Sequence, residues 1–363
     1  MRCNKFLVFV LGSLFPILGS LAEEWKVKEE FLSPDRKSFD CHSSSLVETI
    51  PGHLCAIWKG GPGEGKSNID LKENVGIWMS HFNGDLWSEP QEIVHQGHSV
   101  CWNPVLCKLS ESKLLLFYRV GPDPRHTISF LKRSLDGGYS WTQEELLPAG
   151  IVGPTKNRPI VTAEGKLICP SSVAVGEPDD PYKATACWIE MSPDEGVHWT
   201  KVGPLELSDR KFGPIEPALF YDLEGNLHMF CRDRAQKIGG IGYIWEAISR
   251  DDGYTWSTFQ QTLFPNPDAA FDVIDRGIGK LALIYNHSHT NRYPLHLSTS
   301  FDGGLHWSAP LIIDNIGEFP AAIATADGLI HIIYAFPASE GQRRIKHLVI
   351  ALPCDGFEDP TTN

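Results

Sequence analysis

Six side chains fall where short predicted strands start or stop and carry the chemistry to hold and cleave an acidic molecule. Lys59, Arg119, Lys156, Arg158 and Arg232 are cations, and Glu216 is a carboxylate. Arginine matches a carboxylate through two parallel hydrogen bonds, and a glutamate can take or give a proton, so cations gathered around one Glu make an anion-binding site able to work on its ligand. The set runs against the chain's overall balance. With 32 basic and 45 acidic side chains among 363 residues the formal charge is −13, so cations collected at one place are not a sample of the average surface. The same balance excludes nucleic acid as a partner, because no basic face is left to neutralise phosphates. His42, Asn103, Asn286 and His287 share the strand-end positions, with Tyr285 beside them, and supply proton acceptors and hydrogen-bonding groups. The plain alternative is that some of the cations cap strand ends or pair with Glu216 and Asp272.

The elements that position these residues come from a repeat. Ser-x-Asp-x-Gly-x-x-Trp recurs at Ser134-Asp136-Gly138-Trp141, Ser192-Asp194-Gly196-Trp199, Ser249-Asp251-Gly253-Trp256 and Ser300-Asp302-Gly304-Trp307, with a worn copy at Ser80-Phe82-Gly84-Trp87. The tryptophans step by 51 to 58 residues, so one structural unit repeats along the chain. Each box fits a hairpin turn: the Asp accepts from backbone N–H groups, the Gly takes positive φ, and the Trp drops back between sheets. Between boxes the sequence reads as short strands such as 114–118, 166–169, 227–232 and 280–285, separated by turn clusters, with no stretch of helical period. Four short strands in about 55 residues make a propeller blade, and the chain holds six of them. The predicted fold is all-β, a six-bladed β-propeller with Asp-box repeats, over residues 23–363 as one domain.

In a propeller the innermost strand of each blade starts, and the second strand ends, at one mouth of the central channel. Innermost strands are predicted to start at His42, Asn103, Arg158, Glu216, near Asp272 and at Phe319. Second strands end at Lys59, Arg119, Ser171, Arg232, at Tyr285-Asn286-His287 and at Tyr334. This alignment brings the cations and Glu216 to one mouth.

Asp boxes at this spacing on a six-bladed propeller resemble the sialidase (neuraminidase) superfamily, over roughly residues 38–350. The segment running from Glu216-Pro-Ala-Leu-Phe to Cys231-Arg232 is similar to the sialidase stretch that carries the catalytic glutamate and one member of the arginine triad, which implies those parts for Glu216 and Arg232. The resemblance places the acid/base carboxylate in the loop after the first blade's second strand, so Glu64 and Asp70 are the implied proton donors to a leaving oxygen. Three positions depart from the family. Cys41-His42-Ser43 stands in place of Arg-Ile-Pro, no arginine is found around 265–272, and Phe319 takes the position of the nucleophilic tyrosine, for which Tyr285 is the nearby replacement. The resemblance implies an exo-glycosidase that hydrolyses a terminal acidic sugar, sialic acid or a related ulosonic or uronic acid. The same residues suit a uronate lyase, in which His42 or a Tyr removes the proton α to a carboxylate that arginines neutralise. A binding propeller without catalysis is the third alternative, since Asp boxes also occur in sortilin-like receptors.

The remaining motifs set the context. Arg2 and Lys5 precede an apolar run over 6–21 that ends Ser20-Leu21-Ala22, the layout of a secretory signal cleaved after Ala22. The expected destination is outside the cell, or a lysosome or vacuole, with no membrane attachment after cleavage. The cysteines show no CxxC pair or zinc-like spacing, and their pairing is open. Gly60 to Ser67 satisfies the phosphate-loop pattern, but the residues after Lys66-Ser67 do not read as the helix that such a loop needs, so a glycine-rich loop carrying Glu64 and Asp70 is the better reading. Asn286-His287-Ser288 is a glycosylation sequon expected to stay unmodified because it maps to the mouth. None of these routes calls for a cofactor or metal, although a structural Ca²⁺ is compatible. Oligomeric state leaves no mark in the sequence.

Overall fold

Alternating buried and exposed positions along short segments, punctuated by glycine turns, leave the chain no stable alternative to antiparallel sheets whose two faces must both be covered. The computed structural model describes residues 25–32, 39–62, 75–97, 99–177, 180–207, 213–234, 239–339 and 342–352, and these contain strands and no helix. The predicted signal segment, Glu64, Asp70 and Cys354 lie outside the described residues.

After β1 (Lys26–Phe31), the strands form six four-stranded antiparallel sheets. Blade I is β2 (Phe39–Ile50), β3 (His53–Pro62), β4 (Gly76–Phe82) and β5 (Gln91–Val94). Blade II is β6 (Val100–Lys108), β7 (Leu114–Asp123), β8 (His126–Ser134) and β9 (Glu145–Leu146). Blade III is β10 (Ile160–Val161), β11 (Leu167–Glu177), β12 (Asp180–Ser192) and β13 (Thr200–Leu205). Blade IV is β14 (Pro214–Tyr221), β15 (Leu227–Asp233), β16 (Tyr243–Ser249) and β17 (Gln260–Pro265). Blade V is β18 (Asp272–Asp275), β19 (Leu281–Tyr285), β20 (Leu295–Ser300) and β21 (Leu311–Asp314). Blade VI combines β22 (Glu318–Ala324), β23 (Ile330–Ser339) and β24 (Gln342–Ile350) with β1, which returns from the start of the chain as the outermost strand. The six-bladed propeller expected from the repeat is the observed fold.

Six apolar clusters, one at each seam between neighbouring blades, form the core. Each box tryptophan is packed into the seam between its own blade and the preceding one, as with Trp141 between blades I and II and Trp256 between III and IV. The Asp box is a closed set of hydrogen bonds. In the first full copy Ser134 Oγ donates to Asp136 Oδ1 and accepts from Gly138 N, both at 2.8 Å, while Asp136 accepts from Ser140 N at 2.8 Å. Gly138 sits at φ +99°, where a β-carbon would also press on Cys55 Sγ at 3.1 Å, so no other residue fits. The other three full boxes repeat the Ser-to-Gly bond at 2.8 to 2.9 Å. Because strands alternate in direction, the boxes lie at the far ends of the third strands, on the rim opposite the mouth. They are scaffold.

Ring closure carries a buried polar chain. Trp87 of blade I donates its indole N–H to His347 Nδ1 of blade VI at 3.1 Å; Glu30 Oε1 of β1 lies 3.2 Å from the same nitrogen, and His331 Nδ1 lies 3.0 Å from His347 Nε2. Burial, reinforced by the neighbouring His347, pushes His331 down to about 4, and burial lowers His347 as well. A histidine neutral in the fold and ordinary when unfolded binds fewer protons in the native state, so its contribution is present above about pH 6.5 and is lost as pH falls toward 4. We expect acidification across that window to cost on the order of 3 kcal/mol from His331 alone. Urea midpoints measured from pH 7 to 4 should fall steeply for the wild type and less steeply for His331→Leu.

Candidate functional site

Four of the six innermost strands carry the same irregularity at the mouth. The register against the second strand slips between His42 and Ser45, between Trp102 and Val105, between Ile215 and Ala218, and between Glu318 and Ala321. Within each slip one non-glycine residue takes a left-handed backbone: Ser43 (φ 52°), Asn103 (φ 43°), Glu216 (φ 51°) and Phe319 (φ 55°). Such residues cost about 1–3 kcal/mol each and cluster at functional sites. Proline follows three of them, at 104, 217 and 320, and with no N–H it leaves no orphan donor in the bulge. Just before each slip, the first-strand residue faces one of the last few residues of the second strand, His42 opposite Lys59, Trp102 opposite Arg119, Ile215 opposite Arg232 and Glu318 opposite Ala335; the second strands run on past the predicted ends at Lys59 and Arg119, to Pro62 and Asp123.

These four bulges ring a pocket of about 190 Å³, below the roughly 300–1,000 Å³ of drug-sized sites and suited to one sugar ring. Of the predicted residues, His42, Lys59, Asn103, Arg119, Glu216 and Arg232 line it, together with Phe319. Glu216 Oε2 lies 3.3 Å from Arg232 Nη1, and Arg232 Nε lies 3.6 Å from the buried carboxylate of Asp268. Lys59 stacks over the Trp102 ring at 4.1 Å. Phe319 lies against the His42 ring at 4.0 Å between centroids, with the guanidiniums of Arg292 and Arg232 at 5.5 and 5.6 Å from its own ring.

His42 is buried. Its Nδ1 bonds Ser43 Oγ at 2.7 Å, and its Nε2 has no hydrogen-bond partner, with Glu318 Oε1 at 4.0 Å. Burial first, then the positive charges of Arg343, Lys59, Arg292 and Lys156, hold the imidazole well below its ordinary value, so it is a neutral base. Burial likewise lowers Arg119, to about 10, which leaves it a cation at neutral pH.

Five predicted residues are not among those lining the pocket. Lys156 and Arg158 belong to a segment, 155–158, that reaches across the centre of the ring. Lys156 Nζ donates to the Pro320 carbonyl at 2.9 Å, Asn157 Nδ2 to the carbonyls of Glu216 and Pro217 at 3.2 and 3.1 Å, and Arg158 Nη1 to Ala322 O at 2.5 Å and Asp272 Oδ2 at 3.3 Å. Both cations are spent on structure because β10, only two residues long, begins after them. Tyr285 is fully buried, its hydroxyl 2.6 Å from His287 Nδ1 and 3.3 Å from Ser298 Oγ, and burial pushes the phenol up to about 12, the wrong direction for a nucleophile. Asn286 is fully buried and donates to Pro294 O and Gly317 O at 3.0 Å each, so the folded chain presents no glycosylation acceptor there. His287 is thus a partner of Tyr285 rather than part of the pocket wall.

The pocket also contains residues that strand-end alignment missed. Arg343 enters from the start of β24 and is held by Asp40 (Nε to Oδ1, 2.9 Å) and Glu318 (3.1 Å), and Arg234 faces Asp268 at 3.7 Å. Asp268 and Arg292 come from loops, where no strand position marks them; Arg234 was two residues from a predicted one. Among the described residues no cluster of three or more His, Cys, Asp or Glu is arranged to hold a metal ion. All seven described cysteines are buried, and no disulfide joins any two of them. Arg158→Ala would strand Asp272, itself almost fully buried, without its ion-paired cation, and should cost about 3 kcal/mol in urea unfolding.

Against known proteins, the model of the BNR repeat-like domain matches residues 52–332. Among solved structures the chain superposes on a protein of unknown function from Dyadobacter fermentans with a TM-score of 0.70 at 16% identity, covering 90% of this chain and 99% of that one. It superposes on Hadza microbial sialidase Hz136 with a TM-score of 0.66 at 17% identity, covering 85% of this chain and 65% of that one, and on Trypanosoma rangeli sialidase with 0.65 at 15%, covering 90% and 58%. The chain therefore spans less than two thirds of either sialidase, and at these identities the likeness is one of fold. No curated protein matches it. The repeat model extends over most of the sequence, and the chain folds into six four-stranded blades: the chain belongs to the BNR repeat-like domain family.

Proposed function

We propose that this protein is a secreted carbohydrate-active enzyme that takes a terminal acidic sugar into the mouth pocket and hydrolyses its glycosidic bond. The observation that carries the reading is Glu216, held in a left-handed bulge 3.3 Å from Arg232 in a pocket that also receives Lys59, Arg119, Arg234 and Arg343. Positive charge concentrated in a cleft of an acidic protein favours an anionic ligand, and a positioned carboxylate supplies acid–base chemistry. That sialidases share the fold, one of them solved in complex with sialic acid, supports an acidic sugar as the ligand class. Glu64 and Asp70 remain the proposed donors to the leaving oxygen. Phe319 at the fourth bulge has no nucleophilic atom, so we propose that water attacks directly and no glycosyl–enzyme forms. Secretion is proposed from the leader at 1–22.

His42 favours a second reading. A buried neutral imidazole with a free Nε2 beside a cation cluster is equipped to remove the proton α to a uronate carboxylate, with the glycosidic oxygen leaving in a β-elimination.

The two routes separate in one experiment. Incubation with sialosides, ketodeoxyoctonate glycosides and uronate oligosaccharides, read by mass and ultraviolet absorbance, should give products that have gained water, with Glu216→Gln lowering kcat at least about 100-fold. Absorbing products without added water, lost in His42→Asn, would establish the lyase. Release from no substrate would return the protein to the class of binding propellers. Because His42 is held neutral, any rate that depends on it should persist as pH falls below 6.5, where an ordinary histidine base would already be protonated.

A further inference from the structure

Four arginines line the pocket, and three of them already face a carboxylate. Arg232 faces Glu216 and Asp268, Arg234 faces Asp268, and Arg343 faces Asp40 and Glu318. Arg119 is different. It is 7% exposed, no carboxylate of the described residues lies within ion-pair distance, and its one hydrogen bond is a long one from Nη1 to Pro124 O at 3.4 Å; its Nε is buried without an acceptor, as are Nε and Nη1 of Arg232, so the missing ion pair is what sets it apart. A guanidinium taken out of water needs an anion to offset its lost hydration, and here the protein supplies only the more distant charge of Glu216, which offsets burial in part.

The surroundings hold it in that condition. Arg119 lies in β7 opposite Trp102, beside the register slip; the Trp102 indole is fixed by a 2.8 Å bond to Gly121 O, and the next residue, Asn103, is locked by its side-chain bond to Thr155 O at 2.7 Å. The pocket wall at blade II is therefore built, with a buried cation that no carboxylate of the described residues pairs.

Resting on the acidic-sugar reading above, we infer that Arg119 is the residue that receives the ligand's oxyanion, so the acid group docks on blade II. Arg232, the arginine that the sialidase resemblance singles out, instead holds Glu216. A carboxylate and a sulfate ester present the same chemistry to this guanidinium, and the probes distinguish them.

The test is titration calorimetry with thermal melts on the full chain and on Arg119→Gln, Arg119→Lys and Arg232→Gln. The probes are glucuronate, N-acetylneuraminate, galactose 6-sulfate and neutral galactose. Arg119→Gln should melt at or above the wild-type temperature without ligand, because a buried charge with no ion pair is gone, yet bind the acidic probe at least about tenfold more weakly. Arg119→Lys, which keeps the charge and loses the fork, should fall between. Preference for the two carboxylates assigns a sugar acid, and preference for the sulfate assigns a sulfated sugar, at the same arginine. Acidic probes that bind Arg119→Gln within about twofold of wild type, but are lost in Arg232→Gln, would overturn the inference and leave the acidic-sugar reading standing. If no acidic probe binds the wild type better than galactose, that reading fails and the inference with it.

Discussion

The segment 155–158 reaches across the propeller centre, and the site on the mouth depends on where it is held. It bonds to Asn103 of blade II, Ser172 of its own blade, Glu216 and Pro217 of blade IV, Asp272 of blade V, and Pro320 and Ala322 of blade VI. A propeller packs each blade only against its neighbours, so nothing in the blade repeat itself fixes the distance between non-adjacent blades. These hydrogen bonds do. They also fall on or beside the bulged residues of three blades, so the same side chains that close the channel set the backbone from which Asn103, Glu216 and Phe319 project.

The charges of the pocket sort into two groups by what each one faces. Around Arg232 the guanidiniums and the carboxylates of Glu216, Asp268, Glu318 and Asp40 alternate, which lets several cations be buried near one another without mutual repulsion deciding the fold. His42 lies against this network, and burial, reinforced by the surrounding positive charge, keeps it neutral rather than adding another cation. Phe319 lies against the His42 ring and has the guanidiniums of Arg292 and Arg232 over its own, so one apolar ring sits inside an otherwise ionic wall.

The repeat made the fold legible from sequence because each Asp box writes a turn and a seam residue into eight positions at nearly constant spacing. Aligning strand ends then found His42, Lys59, Asn103, Arg119, Glu216 and Arg232, since a strand end at the mouth has only one direction to point. It failed in blades III and V. There β10 is two residues long and preceded by the crossing segment, and β19 ends in a buried Tyr285-Asn286 pair whose polar groups are consumed by the adjacent loop, so equivalent positions in the repeat have different neighbours. Asp268 and Arg292 carried no signal at all, because loops have no register. Arg343 lay on a strand whose face could have been solvent, and only the position of Asp40 and Glu318 decides otherwise.

Ser43, Asn103, Glu216 and Phe319 occupy one backbone shape repeated at four points of a circle. Each is in effect a socket. A hydroxyl, an amide, an acid and a phenyl ring already sit in identical mounts, so exchanging one of them alters the chemistry presented to the ligand without asking the scaffold for a new loop. A single ring can therefore acquire or lose a reaction by single-residue exchange, and divergence among propellers of this architecture can be discontinuous in activity while remaining continuous in structure.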